Sequence, residues 1–122
     1  MSCAVPGRNV TEGSDLHKLL LDIQARGGEI LSHGMNHRAV TAEGVGGIYK
    51  YDDVYNEFSQ SYEKLTNLGF EVNGIIEVGN GGNESTADYK MIETISRKFF
   101  KYSNAYGVSP QYTQPRRFMN WD

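Results

Sequence analysis

The chain reads as an α/β domain, and three observations predict it. Short apolar segments rich in β-branched residues alternate with longer segments whose apolar residues recur at helical spacing. Glycines mark most of the boundaries between the two kinds of segment, and the connections are long enough for right-handed parallel crossovers. The predicted order is strand, helix, strand, helix, strand, helix, strand, which makes α/β the class. With 122 residues the chain is long enough for one domain and too short for two.

Cys3 to Val5 reads as a very short strand, turned by Pro6-Gly7. Ser14 is a good helix N-cap, Asp15 suits the positive helix end, and Leu16, Leu19, Leu20 and Ile23 recur at helical spacing. A helix over residues 15–26 follows, stopped by Gly27-Gly28. His17 is expected to be an exposed residue of that helix. Residues 27–37 read as a short buried strand whose carboxyl end delivers His33 and His37. Residues 38–49 hold three glycines and little periodicity, so they read as a loop.

Residues 52–68 carry Val54, Phe58, Tyr62, Leu65 and Leu68 on one stripe and form the clearest amphipathic helix, closed by Gly69. Asp52 and Asp53 head it, and capping of the positive helix end accounts for them. Residues 70–78 read as a buried strand ending in the glycine-rich run 79–83. That run could cradle a phosphate on backbone N–H groups, but it lacks the spacing of a P-loop or dinucleotide fingerprint, and a tight turn is the better reading. Residues 86–99 form a third helix through Ala87, Met91, Ile92, Ile95 and Phe99. Residues 102–106 read as a short strand, and 107–122 show no clear period. The rings of Tyr112, Phe118 and Trp121 suit either the apolar face of a sugar or the packing of a chain terminus, so Tyr112 and Trp121 are candidate substrate contacts.

Composition narrows the partners. A net charge of −3 argues against nucleic acid or an anionic membrane as the main partner, since both demand clustered Lys and Arg. Arg116-Arg117 reads as a solvated pair. No apolar run approaches the ~20 residues needed to span a bilayer, and no export signal is visible at the start, so an extracellular or cell-envelope location is expected only of a parent protein that carries one. The single cysteine, Cys3, excludes an internal disulfide and any multi-cysteine zinc site; it reads as a small buried hydrophobe.

The stretch Gly27-Gly28-Glu29-Ile30-Leu31-Ser32-His33-Gly34-Met35-Asn36-His37 carries the chemistry. If a helical turn follows the strand, His33 and His37 share a face and their imidazoles can share one cation. Two histidines make a partial zinc site, since a structural site takes about four ligands and a catalytic one about three plus water. On spacing alone, ordinary loop histidines are the commoner reading. A zinc protease is excluded, because it requires Glu directly after the first histidine and position 34 is Gly.

The whole phrase Gly28-Glu29-Ile30-Leu31-Ser32-His33-x-x-x-His37 resembles the histidine motif of the polysaccharide deacetylase (NodB-homology, carbohydrate esterase) family, following a helix that ends in Arg26-Gly27-Gly28. The resemblance implies a partial or distorted (β/α) barrel with its site at the carboxyl ends of parallel strands. It also implies a divalent metal, usually Zn²⁺, held by His33 and His37, and hydrolytic deacetylation of an N- or O-acetylated glycan or peptidoglycan-like substrate.

The resemblance covers only the middle of the family's domain. Gly34 stands where the family generally has Ser or Thr. Asn80 to Asn83 supply neither the arginine nor the prolines of the family's Arg-Pro-Pro-Tyr-Gly-like signature. The opening Thr-Phe-Asp-Asp-Gly and the late Leu-x-x-His are absent, and no histidine follows His37. The chain therefore reads as a fragment, a truncated frame or a degenerate relative, impaired in activity and expected to self-associate through an incomplete barrel edge. Two alternatives stand beside the deacetylase reading: a non-catalytic carbohydrate-binding or interaction module on the same frame, and a small α/β domain binding a phosphorylated ligand at 79–83.

Overall fold

The computed structural model describes residues 1–41, 43–44, 46–76, 78, 89–104 and 118–120, of which 89, 104 and 118–120 by backbone alone. The elements are β1 (Ser2–Val5), α1 (Asp15–Ala25), β2 (Glu29–Ser32), α2 (Tyr51–Asn67), β3 (Val72–Ile75), α3 (Tyr89–Phe99), β4 (Tyr102–Asn104) and β5 (Phe118–Asn120). A short 3-10 helix, Gly7–Asn9, follows β1. The strands form one sheet whose spatial order is their order in the chain. β1 to β4 are parallel and β5 runs antiparallel to β4.

The α/β class is therefore seen directly, with two corrections to the expected architecture. Phe118–Asn120 lies in a segment that read as aperiodic, because three residues are too few to display a period of two. By pairing antiparallel it also breaks the expected all-parallel sheet.

One hydrophobic core joins the helices to one sheet face. Val5, Ile30, Val72 and Ile75 from the strands meet Leu20 of α1, Val54, Phe58 and Leu65 of α2, and Ile92 and Ile95 of α3. The predicted stripe of α2 is thus the buried one. Its N-cap is Lys50, which makes no side-chain capping bond. Asp52 and Asp53 are exposed in the first turn, so they favour the helix through its dipole rather than as caps. Cys3 is half-buried against the core, as a small hydrophobe in β1. The loop after His37 folds inward: Val40 and Ile48 are buried and joined by a single β-bridge.

α1 has the predicted cap, with Ser14 Oγ accepting from the His17 N–H, but a different inner face. His17 is only 8% exposed, whereas Leu16 and Leu19 are 37% and 55% exposed. The reason lies in the imidazole's partners. Nδ1 accepts from the Gly13 N–H at 2.9 Å, which fixes the proton on Nε2, and Nε2–H donates to the Leu68 carbonyl at 2.7 Å. The ring also stands edge-on to Phe70, at 5.7 Å and 77°. A polar ring satisfied at both nitrogens can be buried where a one-sided apolar stripe would predict leucine. His17→Ala is expected to cost about 2 kcal/mol, since it leaves a helix-terminal carbonyl and a loop N–H without their partner; urea unfolding measures it.

On the other sheet face Tyr102 of β4 reaches across β3 to donate its hydroxyl hydrogen to Glu29 of β2. Gly74 makes this possible, because a Cβ there would run into the Tyr102 ring. Burial, and then the hydrogen bond and charge of Glu29, raise the Tyr102 pKa above the ordinary tyrosine value. The folded chain holds this proton to higher pH than the unfolded chain does. The stabilisation is accordingly complete below about pH 10 and lost as pH rises beyond it. The advantage of wild type over Tyr102→Phe in urea unfolding should therefore hold constant up to about pH 10 and shrink as pH rises above it.

Candidate functional site

The site forms where β2 ends, at the carboxyl edge of the parallel strands. Two ladder bonds run past that end: His33 N–H donates to Val5 O at 3.0 Å, and Ile76 N–H donates to Ser32 O at 2.8 Å. The β2–β3 register shifts between Ile30 and Ser32, which pair with Val72 and Ile75. The additional β3 residue bends the strand end, as bulges near sites do.

His33 Nδ1 lies 2.8 Å from the Ile76 carbonyl oxygen. A carbonyl only accepts, so Nδ1 carries the hydrogen and the neutral ring keeps its lone pair on Nε2. His37 comes alongside, with ring centroids 4.9 Å apart and planes tilted by 59°. His33 is half-buried and His37 exposed.

The pair meets as the spacing suggests but by a different backbone route. Residues 33–37 form no helical turn; they bend, with Gly34 at φ +78° and His37 at φ +58°. Histidine in the left-handed region is uncommon, and the rest of the loop has to hold it there. The 3-10 helix does so from one side, where Gly7 N–H donates to Gly34 O and Arg8 N–H to Met35 O.

α2 holds the loop from the other side. Glu57, 4% exposed, accepts from Asn36 N–H at Oε2 (2.6 Å) and from Asn36 Nδ2 at Oε1 (3.1 Å). One turn on, Ser61 Oγ donates to Phe58 O and so accepts from Ser32 Oγ at 2.7 Å, while Ser32 Oγ accepts from Gly34 N–H. Glu57, Ser61 and Asn36 did not stand out in the sequence. The available signal was a Glu and a Ser four apart beside the apolar stripe of α2.

Comparison with protein-family models, curated proteins and solved structures gave no match. The chemistry of the chain's own side chains carries the functional reading.

As metal ligands, His33 and His37 are two donors of the right kind, one with its tautomer set by a backbone carbonyl as ligating histidines commonly have it. Among the described residues no group of three His, Cys, Asp or Glu side chains gathers around one point. Among the described residues the pair therefore supplies two donors and not a complete ligand set. Asp52 and Asp53 do not complete it within that set. Tyr112, Trp121, Arg116-Arg117 and the run 79–83 lie outside the described residues. Among the described residues no helix is long and apolar enough to cross a membrane.

Proposed function

We propose that this chain carries part of the metal site of a carbohydrate deacetylase, in which His33 and His37 hold a divalent cation, most simply Zn²⁺. The observation that carries the reading is the His33 ring, oriented by the Ile76 carbonyl so that its lone pair lies on Nε2, beside His37 at the carboxyl edge of parallel strands. Four parallel strands in sequential order suit a (β/α) barrel portion, a fold whose sites collect at that edge. The partners would be acetylated glycans. When bound, a cation at such a site polarises an acetyl carbonyl and lowers the pKa of its water. The chain's contribution is to present two imidazoles in fixed orientation and to keep the His33 Nδ1 proton on a carbonyl.

Calorimetric titration with Zn²⁺ tests the reading, together with acetate release from N- and O-acetylated oligosaccharides. Wild type should bind one Zn²⁺, and His33→Ala and His37→Ala should each weaken binding by at least about tenfold. Equal binding in all three proteins would defeat the metal assignment. Zinc binding with sugar affinity but no acetate release would favour a non-catalytic carbohydrate module on the same frame.

A further inference from the structure

We propose that Glu57 is a positioning residue for the imidazole pair, setting the cation affinity of His33 and His37 from the far side of the loop; this rests on the metal reading above. Glu57 touches neither histidine through any hydrogen bond. It acts through Asn36, the residue before His37, whose backbone N–H and side-chain amide both donate to its carboxylate. A left-handed residue is strained unless its neighbours are held, and this two-point grip holds the residue next to it.

Three features set this carboxylate apart from an ordinary surface glutamate. It is buried, and the described ion pairs, Arg26–Asp22 and Arg97–Glu93, do not involve it. Burying a carboxylate without a cation is costly, so stability is a poor reason for its being there. The loop is also shaped to admit it: a Cβ on Gly34 would stand 2.9 Å from Glu57 Oε2. Finally, Ser61 lies one helical turn further along α2 and closes the Ser32 hydroxyl, so one helix face fixes both the start and the end of the His33–His37 loop. Outer groups of this kind orient metal ligands, and their loss typically weakens binding by roughly 10–100-fold.

The test compares Zn²⁺ affinity and the visible absorption of the Co²⁺-loaded protein in wild type, Glu57→Gln, Asn36→Ala, the double variant, and His33→Ala. Ile95→Val, a core change in α3, controls for general destabilisation. Glu57→Gln keeps the size of the side chain but turns one acceptor into a donor facing the Asn36 donors. It should lower affinity by roughly 10–100-fold and change the Co²⁺ ligand-field bands. Asn36→Ala should act in the same direction, and the double variant should be no weaker than Glu57→Gln alone, because both remove one grip. Ile95→Val should leave affinity and bands unchanged. If Glu57→Gln does not fold, Asn36→Ala decides alone. Wild-type affinity and bands in Glu57→Gln and Asn36→Ala, with binding still lost in His33→Ala, would overturn the positioning role and leave the metal reading intact. Absence of His33-dependent binding in wild type would overturn both.

Discussion

Gly34→Ser is expected to destabilise the protein by about 3 kcal/mol and to weaken cation binding with it. A left-handed backbone costs a non-glycine residue about 1–2 kcal/mol, and Gly34 sits at φ +78°. The new Cβ also meets Glu57 Oε2, which must move off Asn36, and bonds to a charged acceptor contribute about 1.5–3 kcal/mol. Serine or threonine is what the resembled deacetylases generally carry at this place. The substitution therefore asks whether this loop has been rebuilt around glycine and Glu57. Urea unfolding and Zn²⁺ titration read the two effects; wild-type values for both would mean that the loop accommodates a side chain and that the Glu57 contact is unimportant.

Phe58→Ala should cost about 3–5 kcal/mol, a large part of the ~5–15 kcal/mol that holds a domain folded. The ring is 3% exposed in the middle of α2 and stands edge-on to Phe100, at 6.5 Å and 69°. Both the transfer term and an unfilled cavity contribute, because α2 cannot close the gap without shifting Glu57 and Ser61 on either side. A thermal melt should fall steeply and carry the histidine loop with it. A cost below about 1 kcal/mol would contradict a core centred on this helix.

The sequence showed the elements more clearly than the contacts that aim them. Alternation of apolar runs with helical stripes was enough for β1 to β4 and the three helices, because burial of one face leaves a periodic trace. The inner face of α1 was misread, since His17 is buried by satisfying both nitrogens on backbone groups, a solution that hydrophobic periodicity does not register. The burial of Val40 and Ile48 was not legible in a loop without periodicity, because two buried residues eight apart make no period.

At the site, the spacing of His33 and His37 pointed to their meeting. The route depended on φ values at Gly34 and His37 that spacing does not encode. Glu57 stayed hidden because an acidic residue on an amphipathic helix ordinarily faces water.

The central claim is that His33 and His37 present themselves as a pair to one cation, and the imidazole nitrogens report on it directly. Long-range ¹H–¹⁵N NMR should find His33 protonated at Nδ1 and His17 at Nε2. On addition of Zn²⁺, the His33 Nε2 signal and one His37 nitrogen should shift together while His17 stays unchanged. A His33 proton on Nε2, or histidine signals indifferent to the metal, would contradict the account.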